Sequence, residues 1–365
     1  MCLFSMSGCG IIGTLTESTK SLTGLTETGT VITQSVYIRS SYAVVAADLL
    51  EVKRGETVEI LGENTIDKVL WYRVRAFDDD STEGWIEAQH IIKGASIEKS
   101  KKLAKESEDY QAQATGKLRA ITNLRLTPEQ TEDNILLRLD ASATFEIIDW
   151  EYVVKKEKDA EPDNEEIKAA KEKDEPVKLS EKYDLWYKIR LDPSVSPAPM
   201  GWVFGRQITL QVPGDIIYYQ TNKRKFVTWQ SLSGSGISGE KVSNKNTDVA
   251  VTKPGSWVIL SRTNEVKEID GVEPDFDGIL VLGFDKYGEE HYTAYSTTRQ
   301  KIDIWGQLPI RLEGAGDNKT LTVKLRNPDT GEMTDQVFIL YKDKKNRLRV
   351  TPPEMLSKKK GHNKK

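Results

Sequence analysis

The sequence predicts a mostly β protein, in which two tandem small barrels precede an antiparallel β-meander domain. Three observations predict it. The sequence contains two copies of one strand-like pattern. Short runs of alternating polarity recur through the C-terminal third, and polar turn residues separate neighbouring runs. With 365 residues, the chain is long enough for two or three domains.

The composition excludes several classes of protein. Apolar residues make up 38% and charged residues 30% of the chain, and the formal net charge of -4 gives no general attraction to nucleic acid. The only cysteines are Cys2 and Cys9, so neither a disulfide framework nor a cysteine-based metal site is expected in the folded body. No apolar stretch approaches the roughly 18 residues of a membrane-spanning helix. The one basic block lies in a polar tail over residues 353–365, which is expected to be solvated.

The N-terminus carries a motif that suggests an anchor. Met6-Ser7-Gly8-Cys9 resembles the end of a bacterial lipoprotein signal, although Met6 stands where Leu is usual and no basic segment precedes it. The resemblance implies that residues 1–9 are a signal remnant and that Cys9 is lipidated. Residues 10–30 are rich in Ser, Thr and Gly, which predicts a flexible tether. The alternative is a disordered cytoplasmic N-terminus.

The first copy of the repeat is predicted over residues 31–95. Its strands alternate in polarity, and turns are expected at Lys53–Glu56 and Asp78–Asp80. The predicted strands are Val36–Ser40, Thr57–Leu61, Trp71–Arg75 and one that begins at Gly84-Trp85-Ile86.

The second copy is predicted over residues 115–212. Asn123–Leu126 matches the first strand, Leu137–Ile148 aligns without gaps with Leu50–Leu61, and Trp186–Arg190 and Gly201-Trp202-Val203 repeat the tryptophan motifs. The second copy differs by an insertion over residues 155–182. This insertion is dense in Lys, Glu, Asp and Pro, so it cannot bury a core and is expected to be a disordered or marginally helical loop.

Both copies resemble the bacterial SH3-like (SH3b) domain. The resemblance rests on Ile38-Arg39-Ser40, Trp71–Val74 and Gly84-Trp85-Ile86 in the first copy, and on their counterparts in the second. It implies a shallow aromatic groove for a peptide or glycan, while core packing of the tryptophans is the simpler alternative. The second copy has Asn123 in the place of Tyr37, so binding is expected mainly in the first. The candidate binding residues are Tyr37, Tyr42, Trp71, Trp85 and Trp202.

Residues 96–114 connect the two copies. They are rich in Lys, Glu and Ala and contain no Gly or Pro, which predicts a short helix. Leu103 is the only large aliphatic residue after Ile97. The helix is therefore expected to be a spacer between barrels and not a surface for a partner.

The C-terminal domain is predicted over residues 213–352 as a series of short strands joined by tight turns. These include Ile216–Tyr219, Phe226–Trp229, Gly255–Leu260 and Ile302–Trp305. Gly255-Ser256-Trp257 and the turn after Phe284 resemble the motifs of a lipocalin-like barrel. That resemblance implies a cavity for a small apolar ligand, and the alternative is a barrel or sandwich filled by side chains.

No catalytic, cofactor or metal site is predicted. The three histidines have no zinc spacing, and the cysteines lie at the N-terminus, away from any histidine partner. A two-carboxylate glycosidase is not excluded by residue counts, because acidic residues are plentiful. The sequence favours a non-enzymatic lipoprotein, anchored at the outer membrane or periplasmic face, that binds cell-wall peptide or an envelope protein. The alternatives are a carrier of a small apolar ligand and a cytoplasmic scaffold.

Overall fold

The computed structural model describes most of the chain outside its two ends and one long loop. The described residues are 27–155, 183–221, 223–233, 236–238, 240–243, 250–269 and 272–357. About half of the chain is strand, which confirms the predicted mostly β class. The chain forms two compact units that divide between Ser96 and Ile97. The signal remnant with Cys9, most of the tether, nearly all of the insertion and the end of the basic tail lie outside the described residues.

The first copy is one antiparallel sheet of seven strands in the order β3-β2-β6-β5-β4-β1-β7. A single turn of 3-10 helix, Ala88–His90, precedes the last strand. The strands are β1 Glu27–Val31, β2 Ser35–Arg39, β3 Asp48–Lys53, β4 Thr57–Ile66, β5 Val69–Ala76, β6 Glu83–Glu87 and β7 Ile91–Lys93. Strand β1 begins inside the predicted tether. It pairs with both β4 and β7, so its backbone is ordered on both sides.

This sheet curls around a single apolar core. Val52 of β3 and Ile91 of β7 lie at opposite ends of the strand order, yet both belong to one buried cluster with Val74 and Ile86. A flat sheet could not bring its two ends to one cluster. The curl follows from the period-2 pattern, which turns alternate side chains inward along every strand.

The second copy repeats the strand order of the first. Its sheet has the order β10-β9-β13-β12-β11-β8-β14, which matches the first sheet position by position. Its strands are β8 Ala114–Leu118, β9 Thr122–Arg125, β10 Ile135–Leu139, β11 Thr144–Val154, β12 Tyr183–Arg190, β13 Met200–Phe204 and β14 Ile208–Leu210. The gapless alignment holds, because Thr57 opens β4 and Thr144 opens β11. The insertion joins β11 to β12, the pair equivalent to the β4–β5 hairpin.

The C-terminal domain contains two four-stranded antiparallel sheets, β15-β18-β19-β20 and β21-β22-β23-β24, and a hairpin of β16 and β17. The strands are β15 Lys225–Ser231, β16 Glu240–Ser243, β17 Ala250–Lys253, β18 Trp257–Arg262, β19 Gly278–Asp285, β20 Glu290–Ser296, β21 Gly306–Glu313, β22 Asn318–Arg326, β23 Met333–Lys342 and β24 Leu348–Thr351.

The two four-stranded sheets share one core. Val258 and Val281 of one sheet belong to the same buried cluster as Leu321, Leu325 and Phe338 of the other. The domain is therefore a sandwich filled by side chains, which was the alternative to a lipocalin-like barrel. Its facing side chains occupy the space where an apolar ligand of a lipocalin-like barrel would have to lie.

Two predicted strands of this domain are not strands. Ile217–Tyr219 is a turn of 3-10 helix, because the carbonyl of Pro213 accepts the N–H groups of both Ile216 and Ile217 and closes the chain locally. Residues 302–305 are irregular. They lead from a short helix, Thr297–Gln300, to β21, and they bury Ile304 and Trp305 without pairing as a strand.

The predicted helical connection is shorter than expected. A first helix spans Gly94–Glu106, and residues 111–113 follow it as extended chain against β21. The side-chain amide of Gln113 donates to the carbonyl of Ile310 at 3.0 Å and accepts its N–H at 3.0 Å. Gln111 makes the same pair of bonds with Leu312, at 2.8 and 2.9 Å. The two side-chain amides bond β21 as the backbone of a neighbouring strand would. These hydrogen bonds connect the sandwich to the segment that leads into the second copy.

Candidate functional site

A row of three outward-facing side chains crosses the first copy. In β2 the side chain of Ile38 is buried in the core, so its neighbours Tyr37 and Arg39 face outward. Trp85 of β6 pairs with Arg39 on one side and with Arg73 of β5 on the other. We call Arg39, Trp85 and Arg73 the first row. Trp85 is half-buried, with a cation on each flanking strand.

Tyr42 completes an aromatic surface beside this row. Its ring meets the ring of Trp85 edge to face, with 5.5 Å between the ring centres. Tyr42 is 42% exposed and Tyr37 is 45% exposed. Arg39 holds the loop that carries Tyr42, because its guanidinium donates to the carbonyls of Val44 at 2.9 Å and Ala46 at 3.2 Å. The structure therefore brings the candidate residues Tyr42 and Trp85 into contact, and it adds Arg39 as the residue that orders the loop.

The charges next to the first row are paired with one another. Glu83 accepts from Arg73 at 3.0 Å and from the Nε atom of Arg75 at 2.9 Å. The hydrogen bond from Arg75 lowers the pKa of Glu83 below its ordinary value. These neighbours already have partners, so contact with the aromatic rings is the main interaction left for a ligand.

Trp71 does not belong to this surface. It lies on the same side of β5 as Arg73, but it is only 8% exposed, and its cross-strand partners are Glu87 of β6 and Asn64 of β4. A ring this buried offers little area to a ligand.

The second copy builds an equivalent row from Arg125, Trp202 and Lys188. Trp202 pairs with Arg125 of β9 and with Lys188 of β12, in the same relation that Trp85 has to Arg39 and Arg73. We call these three residues the second row. Trp202, a predicted binding residue, is 8% exposed and therefore buried, unlike Trp85.

The chain itself covers the second row. Lys188 donates to the Oγ atom of Ser107 at 2.5 Å, and its ammonium lies 5.6 Å from the ring centre of Tyr110 and 5.9 Å from that of Trp202. Arg190 donates to the carbonyls of Ser107 at 3.2 Å and Tyr110 at 3.1 Å. We call residues 107–110 the covering segment. Burial under this segment lowers the pKa of Lys188.

The first helix is also fastened to this side of the second copy. Ser100 is fully buried, and its hydroxyl donates to the carbonyl of Met200 at 2.6 Å and accepts the Met200 N–H at 3.1 Å. Met200 stands where the first copy has Glu83. An apolar residue at this position allows the helix to pack there, whereas the first copy has a carboxylate held by two arginines.

The described residues contain no group of three or more His, Cys, Asp or Glu side chains arranged to hold a metal ion. His90 belongs to the first copy and His291 to the C-terminal domain. Cys9, the predicted lipidation site, lies outside the described residues. Within the described part of the chain, no helix is long and apolar enough to cross a membrane.

Sequence reasoning missed the cations of both rows and the covering segment. Arg39 and Arg125 follow the matched apolar residues Ile38 and Leu124, so the repeat itself carried that signal. Nothing in the residues of the covering segment pointed to Lys188, because their contact joins positions that are far apart in the sequence.

Comparison with known proteins does not identify a family for this chain. No family model matches the chain, and no curated protein matches it. A solved structure described as NlpC2 from Trichomonas vaginalis is similar over 90% of this chain and 92% of its own, at 9% identity and a TM-score of 0.15. Similarity at that level carries no argument about fold or function.

Proposed function

We propose that this chain is a non-enzymatic, lipid-anchored protein of the cell envelope, and that its first copy binds an extended peptide of the cell wall or of an envelope protein. The observation that carries the proposal is the contact between Tyr42 and Trp85. Their edge-to-face pair lies on an accessible face beside Tyr37. Aromatic residues that are rigid and only partly covered are typical anchors for a peptide ligand.

The state of the neighbouring charges supports a peptide held mainly by apolar contact. Glu83 already joins Arg73 and Arg75, and Arg39 is engaged with its own loop and with Asp48 at 3.5 Å. A ligand that relied on ion pairs would have to displace these partners. A peptide with an apolar or proline side chain gains by stacking on the rings and leaves the ion pairs intact.

The difference between the copies supports binding in the first. Trp202 is buried beside Lys188, which residues 107–110 of the same chain contact, whereas Trp85 keeps a partly exposed ring. An external peptide would have to compete with a covalently attached segment at the second row. Such a segment has a high effective concentration, so the competition is unfavourable.

A retention assay tests the binding role. The full-length protein is incubated with purified cell wall, and the bound fraction of wild type is compared with that of Trp85→Ala. We expect the variant to lose about tenfold in affinity, since aromatic anchors typically contribute more than 1 kcal/mol. Tyr218→Ala is the matched control, because Tyr218 is an aromatic residue 87% exposed in the other unit. Equal retention of wild type and Trp85→Ala would contradict binding at the face that carries Trp85.

Membrane fractionation tests the anchor. The sequence motif at Cys9 supports lipidation, and a lipidated chain is expected in the membrane fraction, whereas Cys9→Ser is expected in the soluble fraction. A wild-type protein that is soluble would contradict the anchor and would favour the cytoplasmic scaffold.

A further inference from the structure

A cleft of about 940 Å³ opens at one end of the C-terminal sandwich, where turns from both sheets meet. Its walls come from the approach to β18, the turn between β19 and β20, the turn before β22 and the connection from β23 to β24. The volume is within the usual range for a site that takes a small molecule. The first-copy surface described above plays no part in it.

The cleft is strongly basic in a chain that is acidic as a whole. Among the described residues that line it, six are basic and two are acidic, although the complete sequence has a net charge of -4. The basic residues are Lys253, Lys286, Lys319, Lys342, Lys345 and Arg347. A concentration of one sign of charge in a concave site raises the local concentration of ions of the opposite sign.

Both acidic residues of the lining are already engaged. Asp317 forms an ion pair with Lys342 at 2.7 Å. Asp285 accepts the backbone N–H groups of Tyr287 at 3.0 Å and Gly288 at 3.4 Å, so it shapes the turn between β19 and β20. With both carboxylates counted, the six basic residues of the described lining still leave an excess of four positive charges.

The turns that carry the cations are fixed before any ligand binds. In the turn before β24, Asp343 accepts the N–H groups of Lys345 at 2.9 Å and Arg347 at 3.0 Å, and it accepts from the side chain of Arg349 at 2.8 Å. These hydrogen bonds, above all the one from the Arg347 amide, lower the pKa of Asp343, so it stays ionised. A site whose supporting contacts exist in advance loses less entropy on binding.

Tyr292 forms a rigid part of the floor. Its hydroxyl accepts the N–H of Leu348 at 2.7 Å, and the guanidinium of Arg347 lies 5.8 Å from its ring centre. The ring packs on Gly283, its partner across β19 and β20, where a Cβ atom would overlap it. The floor thus joins the two sheets and holds Arg347 at the cleft.

We propose that this cleft binds a small anion that carries several phosphate groups. Lysine ammonium groups bind phosphate as point charges from varied directions, whereas bidentate recognition of a single carboxylate or phosphate uses the planar fork of arginine. Five of the six cations are lysines, and they are spread over separate turns. A ligand with several separated phosphates satisfies more of them at once than a single anion does.

Calorimetric titration of the full-length protein with sodium tripolyphosphate tests the proposal. We expect one site per chain, and we expect Lys286→Gln/Lys345→Gln to weaken binding more than tenfold, because hydrogen bonds to charged groups are among the stronger ones. Lys102→Gln/Lys324→Gln is the matched control. It removes the same charge from exposed lysines outside the cleft and should stay within about twofold of wild type.

A variant that is expected to bind more tightly controls for misfolding, because a misfolded protein would not gain affinity. Asp317→Asn removes the carboxylate that competes for Lys342, so binding should tighten about threefold. The proposal would be overturned if wild type did not bind tripolyphosphate in 150 mM salt, which is about the physiological level. It would also be overturned if both double variants lost affinity equally. Tighter binding of citrate than of tripolyphosphate would overturn the assignment to phosphate.

Two further titrations identify the source of the phosphate. If the cleft contacts several phosphate groups of one ligand at once, orthophosphate should bind more weakly than tripolyphosphate. Vesicles of phosphatidylglycerol distinguish a lipid headgroup, since binding to vesicles without binding to tripolyphosphate would overturn the proposal of a small soluble anion.

Discussion

The ammonium of Lys188 lies 5.9 Å from the ring centre of Trp202, and the same ammonium donates to Ser107. The equivalent residues of the first copy, Arg73 and Trp85, are paired across β5 and β6, but Arg73 is held by Glu83. A cation beside a tryptophan therefore occurs at the equivalent place in both copies. In the second row Lys188 contacts a segment of its own chain, whereas in the first row Trp85 keeps a partly exposed ring.

Loss of Arg190 is expected to loosen the covering segment. Arg190→Gln removes the charge-assisted donation to the carbonyls of Ser107 and Tyr110, and each such bond contributes about 1.5–3 kcal/mol. Hydrogen exchange in peptides that contain residues 107–110 should accelerate by about tenfold or more. Arg75→Gln, the equivalent change in the first copy, is the control. If both variants accelerate exchange there equally, the contact is not specific.

Ser100→Ala is expected to destabilise the unit that contains the second copy. The hydroxyl of Ser100 is fully buried and bonds both backbone groups of Met200, so its removal leaves polar groups without their partner. We expect the free energy of unfolding to fall by about 1–3 kcal/mol in urea. Lys102→Ala on the same helix, with a side chain 79% exposed, should change it by less than about 0.5 kcal/mol. Equal effects would show that the hydrogen bonds contribute little.

The doubled strand pattern was enough to predict the β class and the equivalence of the two copies. Alternation along a strand is local, so Ile38 and Tyr37 could be assigned to opposite faces from the sequence alone. The same logic placed strand β15 correctly. It was wrong at Ile216–Tyr219, where the carbonyl of Pro213 closes a local turn that periodicity does not describe.

The contacts that distinguish the copies could not be predicted in this way. Lys188 and Ser107 meet because a helix places one near the other, and no sequence spacing records that. The basic cleft is similar, since Lys286 and Lys345 come from turns of different sheets. Sequence patterns predict elements, whereas a site made by several turns depends on how those elements pack.

Gly283→Ala is expected to destabilise the sandwich. A Cβ atom at Gly283 would overlap the Tyr292 ring, and the residue is buried between two strands. Overpacking of this kind costs about 1–3 kcal/mol. Gly214→Ala is the matched control, because no atom of the part of the chain that the structure describes lies within 4 Å of its added Cβ. Thermal unfolding should show a lower midpoint for Gly283→Ala and an unchanged or slightly higher one for Gly214→Ala. A Gly283 variant as stable as wild type would mean that Tyr292 moves aside freely.

Acidification from about pH 7 to pH 5 is expected to weaken the first copy through His90. Burial lowers the pKa of His90, the carboxylate of Glu87 only partly opposes this, and the Nδ1 atom is buried with no hydrogen-bond partner among the described residues. Since the folded pKa is below the unfolded value of about 6.5, the unfolded chain takes up the proton first, and stability is lost as the pH falls through that range. Hydrogen exchange across strands β1–β7 should therefore accelerate at pH 5 after correction for the intrinsic rate. In His90→Asn this extra pH dependence should be smaller, because Asn does not titrate. An identical pH dependence in the two proteins would assign the effect to other groups.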